Sequence, residues 1–202
     1  MKKIVNIIIV GLISLFSEIV QAQQDAQFTQ YMYNTVVVNP AYAGSRNALS
    51  ITGIHRSQWV GLEGAPNTQT LSVHGPVKRR VGLGLSMVRD GIGPSVESTV
   101  SGDFAYTLPV NEQGTKFAFG LKAGLHLMNV DFRKLDTYNP LDPQLANNVN
   151  RVSPQIGLGG YLYASKWYVG ISSPNVLKTE HYDEIANTTA TENLHMYAIG
   201  GY

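Results

Sequence analysis

The chain has 202 residues, enough for one domain of ordinary size. Lys and Arg number 15 and Asp and Glu number 14, so we expect neither a basic surface for nucleic acid nor an acidic tail. The absence of cysteine excludes a disulfide framework, a thiolate metal site and a cysteine nucleophile. Charged residues make up only 14% of the chain, well below the share typical of soluble domains, so much of the surface is expected to carry no charge.

Residues 1–22 have the three parts of a secretory signal peptide. Lys2 and Lys3 give a basic start, residues 7–16 form an apolar run, and residues 20–22 form a small-residue cleavage pattern. A membrane-spanning helix would need roughly 20 apolar residues, and polar residues interrupt this run sooner. We therefore expect an exported protein whose signal peptide is cleaved. Any later membrane span would have to be a β-strand.

The mature chain divides into an N-terminal segment and a series of strands. Residues 23–47 have no clean period, and Asn39-Pro40 predicts a turn, so we interpret them as a periplasmic N-terminal segment. From residue 48 onward the alternation of apolar and polar residues predicts about eight β-strands and no helix. Their predicted ranges are 49–59, 67–74, 81–89, 96–108, 115–131, 152–163, 167–172 and 194–202.

The fifth predicted strand, residues 115–131, has the strictest alternation. We expect Phe119, Leu121 and Leu125 on its apolar face to contact lipid, and Lys122 and His126 on the opposite face to line a wet lumen. The alternation lasts about twelve residues, long enough for a tilted strand that crosses a bilayer. A strand of a soluble β-sandwich remains the alternative.

The connections between these strands are alternately short and long. Ranges 77–80, 109–114 and 164–166 are the short ones. Between them lie 60–66, 90–95, 132–151 and 174–193, which would share the other end of the sheet and of which the last two are much the longest. Outer-membrane barrels have tight periplasmic turns and longer outside loops, so the pattern favours an antiparallel transmembrane β-barrel. Aromatic residues near the short-turn end predict an interfacial girdle: Phe104, Tyr106, Phe117, Tyr161, Tyr163, Trp167 and Tyr168.

No motif for catalysis, cofactor binding or metal binding stands out. The five histidines lack H-x-H or H-E-x-x-H spacing, and no serine has a G-x-S-x-G frame. The glycine pairs fall within predicted strands rather than at a strand-to-helix turn, so they do not predict a phosphate loop. We therefore expect no catalytic residue, no cofactor and no metal site.

Short motifs along the mature chain resemble the PorP/SprF family in order and spacing. They include residues 28–32 (FTQYM), 39–45 (NPAYAGS), 58–61 (QWVG), 72–76 (SVHGP), 101–106 (SGDFAY), 119–124 (FGLKAG) and 168–172 (YVGIS). The resemblance implies an outer-membrane barrel of the type IX secretion system of Bacteroidota, without enzymatic activity. It also implies association with outer-membrane lipid, with exported surface proteins such as gliding adhesins and with other secretion-system components. A pore or transporter for small solutes is the alternative function.

The resemblance also bears on how complete the barrel is. Family members usually continue for roughly a hundred more residues, which would bring about eight strands to about fourteen. We therefore expect residues 48–202 to be part of a larger barrel, with a complete eight-stranded barrel as the alternative.

Two sets of residues are candidates for functional roles. Asp103 and Lys122 lie equally far from the turn at 109–114, so they are predicted to pair across the hairpin on the lumen face, together with His126 nearby; separate hydration of the two charges is the alternative. The long connections 132–151 and 174–193 carry apolar residues and prolines, and are predicted to form an outward platform for an exported protein, unless they are disordered. Tyr138 and Tyr182 are the candidate anchors, because aromatic residues dominate the energetics of buried contacts.

Overall fold

The computed structural model describes residues 31–134, 148–177 and 194–202. Eight strands follow one another in this part of the chain: β1 (Ser50–Ser57), β2 (Asn67–Lys78), β3 (Val81–Ile92), β4 (Ser95–Pro109), β5 (Lys116–Val130), β6 (Val149–Tyr163), β7 (Tyr168–Ser173) and β8 (Tyr197–Gly201). One short α-helix, α1 (Thr35–Val38), and two 3-10 helices, Pro40–Tyr42 and Phe132–Lys134, complete the described elements. The prediction of an all-β chain with eight strands is confirmed.

The strands form one antiparallel sheet in which each strand pairs with the next along the chain, in the order β1 to β8. The sheet curls into a half-barrel. Strands β4, β5 and β6 have 15 residues each, more than the roughly 9–11 that a tilted strand needs to cross a bilayer. In the described ranges no helix is long and apolar enough to span a membrane.

The two faces of the sheet differ in chemistry because side chains alternate along each strand. On the convex face, Phe119, Leu121 and Leu125 of β5 remain 43%, 48% and 51% exposed, and apolar residues of the neighbouring strands extend this surface. On the concave face, the buried residues are mostly small or polar: Ser72, Ser86, Ser101, Asp103, Ala105, Ala118 and Lys122. Phe119, Leu121 and Leu125 therefore lie on the face opposite Lys122 and His126, as the alternation predicted. The expectation that Lys122 lines a wet lumen is not met, because this residue is only 2% exposed. The contact of the convex face with lipid stays a prediction.

Residues 31–47, called here the inner segment, lie against the concave face. Helix α1 contacts β2 and β3, and the 3-10 helix Pro40–Tyr42 contacts β4, β5 and β6. Asn39 separates the two helices, and its side-chain oxygen accepts a hydrogen bond from Ala41 N at 3.0 Å. The turn predicted at Asn39-Pro40 is confirmed, since the chain turns here into the 3-10 helix and Tyr42 N donates to Asn39 O at 3.1 Å. Helix α1 was not predicted, because four residues make only one turn and show no periodicity.

Two expectations about the ends of the sheet need correction. Strands β3 and β4 stay paired as far as Ile92 and Ser95, so the connection expected over 90–95 is reduced to the tight turn Gly93-Pro94. Gly93 N also donates to Gly64 O at 2.8 Å, which holds this turn against the β1–β2 connection.

The predicted aromatic girdle is also only partly on the outer surface. Tyr161 is buried on the concave side, and its ring lies 5.1 Å from that of Tyr163 and 5.8 Å from that of Tyr168. These three tyrosines lie on the same face of the sheet as the buried residue Ala118, because Ala118 pairs with Tyr161 and Tyr163 pairs with Tyr168. On that face they pack with the inner segment. Phe104, Phe117 and Tyr106, in contrast, follow the convex phase.

Candidate functional site

An ion pair lies at the centre of the concave face. Asp103 of β4 and Lys122 of β5 are direct partners in the antiparallel ladder, as the sequence predicted. Lys122 Nζ lies 2.6 Å from Asp103 Oδ1, and the two side chains are 1% and 0% exposed, respectively. A charge buried this deeply is tolerated only with an opposite charge and hydrogen bonds, so the two residues depend on each other. The alternative of two separately hydrated charges is excluded.

Hydroxyl groups and one backbone carbonyl complete the surroundings of this pair. Lys122 Nζ donates to Ser86 Oγ at 3.1 Å and to Ser101 Oγ at 3.2 Å, and Ser86 Oγ donates to Asp103 Oδ2 at 3.1 Å. Lys122 Nζ also donates to Val36 O at 3.4 Å, so the ammonium group links strand β5 to helix α1. We call Ser86, Ser101, Asp103 and Lys122 the buried polar cluster.

Glycines on the concave face make room for the inner segment. A Cβ atom at Gly120 would lie 2.1 Å from Ala41 N, and one at Gly82 would lie 2.1 Å from Ala43 O. Both contacts are with backbone atoms, which a side-chain rotation cannot relieve. At these two positions the backbone of the inner segment fills the space that a side chain would need.

Further hydrogen bonds hold the inner segment to strands on both sides of the cluster. Asn34 receives a hydrogen bond from Ser72 of β2, and Asn39 Nδ2 donates to Gly160 O of β6 at 3.1 Å. Gly44 N donates to His74 Nδ1 of β2 at 3.2 Å. The segment is thus fixed to three strands, β2, β5 and β6, rather than resting on a single one.

Aromatic rings close the short-turn side of this contact. The ring of Tyr42 meets His74 at 5.5 Å and Tyr161 at 5.3 Å, both edge to face. Such pairs stabilise a contact by roughly 0.5–1.5 kcal/mol beyond the area they bury. The guanidinium group of Arg46 lies over the ring of Tyr42, and its Nε donates to the phenol oxygen of Tyr42 at 3.0 Å.

His126 lies farther along the same face, toward the long connections. Its Nδ1 is 3.0 Å from Thr99 Oγ1, and its Nε2 is 3.9 Å from Glu97 Oε2. These residues, together with α1 and parts of β3 and β6, line a cavity of about 90 Å³, enough for a few water molecules. No group of three or more His, Asp or Glu residues in the described ranges has the arrangement of a metal site.

The structure therefore brings Asp103, Lys122 and His126 to one face, with Asp103 and Lys122 in contact and His126 apart from them. Whether this face borders a lumen in a complete barrel stays a prediction. Tyr138 and Tyr182 lie outside the described residues. Asp131 directly follows β5, at the start of the connection that leads to β6, and it accepts hydrogen bonds from Arg133. These hydrogen bonds lower the pKa of the Asp131 carboxyl below its ordinary value.

Sequence reasoning missed that the inner segment covers the buried polar cluster. The segment was assigned to a separate periplasmic region, whereas residues 34–43 are largely buried against the sheet. The sequence held one signal of this contact: on the polar face of β3 to β5, glycines occur among the serines. A glycine within a strand often marks a place where another backbone segment approaches closely. The location of residues 23–47 relative to the membrane stays a prediction.

Comparison with known proteins agrees with the resemblance in the motifs. The sequence matches the family described as type IX secretion system membrane protein PorP/SprF over residues 20–202. No curated protein and no solved structure gives a significant match. Since the family match covers nearly the whole chain and the half-barrel provides the expected β-architecture, this chain belongs to the PorP/SprF family of type IX secretion membrane proteins.

Proposed function

We propose that this protein is an outer-membrane component of type IX secretion that holds exported proteins, such as gliding adhesins, at the cell surface, and that it has no enzymatic activity. The observation that carries the proposal is the family match over residues 20–202. The apolar convex face supports an outer-membrane location, because it offers lipid a continuous surface across several strands. A signal peptide over residues 1–22 would bring the chain to that membrane.

The exported partner is proposed to bind at the long-connection end of the sheet. The connections predicted over 132–151 and 174–193 leave from this end. They join β5, which ends at Val130, to β6, which begins at Val149, and β7, which ends at Ser173, to β8, which begins at Tyr197. Their length exceeds what is needed to join neighbouring antiparallel strands. Tyr138 and Tyr182 are the proposed anchors. A large, rigid aromatic side chain gives contact area at low entropic cost, as partner-binding loops require.

The alternative function, a pore for small solutes, is less well supported. A pore needs an open, hydrated path along the concave face. Residues 34–43 instead pack onto β2 to β6 and bury the ion pair of Asp103 and Lys122. A covered face suits a platform for proteins better than a channel.

The proposal is tested by replacing residues 134–147 and 177–193 with short Gly/Ser turns in the native host. We expect the variant to remain heat-modifiable on gels and to fractionate with outer membranes, while the exported adhesin is lost from the cell surface into the medium. Replacing residues 110–114, at the opposite end, with a Gly/Ser turn of equal length is the control and should leave surface retention unchanged.

Substitution of the two anchors refines this test. The Tyr138→Ala/Tyr182→Ala variant should reduce retention while a Phe replacement at both positions should preserve it, because the ring supplies the buried area. Normal retention by a correctly inserted loop-replacement variant would contradict the proposed binding site. Release of the adhesin in the 110–114 control would show that any change of the barrel disturbs retention.

A further inference from the structure

The short-turn end of the sheet is strongly basic. The short connections and the strand positions next to them, residues 77–80, 109–116 and 164–166, contain five Lys or Arg residues and one acidic residue, Glu112. The five are Lys78, Arg79, Arg80, Lys116 and Lys166. The chain as a whole carries a formal net charge of only +1, so this end departs clearly from the average. A local excess of one sign creates a potential that attracts oppositely charged partners.

Four of these bases line one cleft of about 300 Å³. The basic residues are Lys78, Arg79, Arg80 and Lys116; the remaining walls include Ala43, Gly44 and Asn47 of the inner segment, Thr107 and Tyr163. None of the residues that line the cleft is acidic. Among the described residues, none of the ion pairs involves any of these four bases.

The position of the cleft indicates from which side a ligand would arrive. The cleft is lined by three strand residues that lie on the concave face, Gly82, Lys116 and Tyr163. They are next to the buried residues Ala105, Ala118 and Tyr161 of the same face. The lipid-facing surface is the convex one, so the cleft opens at the mouth of the half-barrel on the short-turn side. A ligand therefore reaches it from the aqueous phase rather than from the acyl chains.

We propose that this cleft binds an acidic segment of a polypeptide, with neighbouring Asp or Glu side chains, from a protein on the short-turn side of the membrane. Guanidinium groups bind carboxylates through two parallel hydrogen bonds, and two arginines with two flanking lysines match several carboxylates at once. A cleft of this size lies at the lower end of the roughly 300–1,000 Å³ range of ligand pockets and exceeds what one phosphate fills. The site lies at the opposite end from connections 132–151 and 174–193, so it adds a second contact surface to the proposed function.

The inner segment contributes to this site as well as to the centre of the sheet. Ala43, Gly44 and Asn47 form one wall of the cleft, and the same stretch is fixed to β2 by the hydrogen bond from Gly44 N to His74 Nδ1. The segment and the bases therefore share one rigid frame. An acidic ligand would meet a preformed cleft and would not have to order the inner segment, which lowers the cost of binding.

The test uses the full-length mature chain, purified in a neutral detergent, and a fluorescently labelled peptide of six glutamates. Peptides of six glutamines and of six lysines are the controls for charge. We expect the glutamate peptide to bind, and an Arg79→Gln/Arg80→Gln variant to bind it at least about tenfold more weakly. The matched variant Arg89→Gln/Arg133→Gln removes two exposed arginines near the other end and should change the affinity by less than about twofold.

Circular dichroism and heat-modifiable migration establish that each variant is folded. If the Arg79→Gln/Arg80→Gln variant does not fold, the wild-type protein still decides the question, because raising NaCl from about 50 to about 500 mM should release the glutamate peptide. The proposal is overturned if the wild type binds the glutamine peptide equally well, or if both double variants lose the same affinity. It is also overturned if nanodiscs with phosphatidylglycerol, but not the peptide, bind in a manner that depends on Arg79 and Arg80, since the site would then recognise lipid headgroups.

Discussion

Lys122 faces Asp103 across the β4–β5 ladder, with 2.6 Å between Nζ and Oδ1, and the inner segment seals both side chains from solvent. The same ammonium group donates to Val36 O of helix α1. The Lys122 ammonium group therefore joins strand β5 to helix α1, and the two residues, Lys122 and Val36, are 86 positions apart in sequence. It ties the stability of the sheet to the docking of the inner segment.

Removing one member of this pair should be strongly destabilising. In a Lys122→Met variant, Asp103 would keep a buried charge without its partner, a change that typically costs about 3–5 kcal/mol. We expect the free energy of unfolding, measured with urea for protein refolded into lipid vesicles, to fall by an amount in this range. Lys116→Met on the same face of the same strand is the control, and it should cost less than about 1 kcal/mol because Lys116 lies at the open mouth.

A double variant separates the cost of the orphaned charge from the loss of packing. Asp103→Leu/Lys122→Met leaves no buried charge and should be more stable than Lys122→Met alone, because an ion pair can often be replaced by apolar residues at little cost. Equal stability of Lys122→Met and Lys116→Met would show that the pair is not buried in the membrane-inserted protein.

The close approach at Gly120 gives a prediction about the inner segment. A Gly120→Val side chain would meet the backbone of Pro40 and Ala41, so the segment must move away from β5. We expect trypsin to cleave after Arg46 much faster in this variant than in the wild type. At Gly102, whose nearest neighbour is Ala123 O at 3.9 Å, a Gly102→Ala change has the space it needs and should leave the cleavage rate unchanged. Cleavage at the same rate in all three proteins would place the inner segment away from Gly120.

The strands could be predicted from sequence because each depends on local alternation. Strand β5 shows this well, since Phe119, Leu121 and Leu125 remain on one side and Lys122 on the other over its whole length. The partner of Asp103 was also predictable, because a hairpin turn fixes the register of the residues on either side.

The candidate site was less predictable, because it depends on contacts between distant residues. Nothing near Val36 in the sequence indicates that its carbonyl meets Lys122, and a single helical turn such as α1 has no period to detect. Tyr161 was placed in an outer girdle because it is aromatic and lies near a turn, although its phase in β6 turns it toward Tyr42. The position of a residue in the alternation of its strand therefore predicts which face it lies on more reliably than its residue type does.

The facing of β5 toward lipid can be tested with a charge. A Leu121→Arg change places a guanidinium on the apolar convex face and should cost about 2–4 kcal/mol of barrel stability near the bilayer midplane. His126→Arg on the concave face is the control and should cost much less, because Thr99 and Glu97 already surround that position with polar groups. Gly124 lies on the same face but cannot serve as the control, because a Cβ atom there would lie 2.4 Å from Val100 O. Similar costs for Leu121→Arg and His126→Arg in vesicle refolding would contradict the assignment of the two faces.

The covering of the concave face by the inner segment can be measured by cysteine labelling, because the natural chain has no cysteine and a single introduced thiol reports on its own position. Val36 is 1% exposed, whereas Ala48, just beyond the segment, is exposed. A thiol reacts with a maleimide only when it is accessible, so we expect the Val36→Cys variant to react at least about tenfold more slowly than the Ala48→Cys variant in folded protein, and equally fast in urea. Adding Lys122→Met to Val36→Cys should accelerate labelling, because Val36 O loses the ammonium group that binds it to β5. Equal rates for the two single-cysteine variants in folded protein would mean that the inner segment leaves the sheet under native conditions, and the concave face would then be open for a ligand or a passing chain.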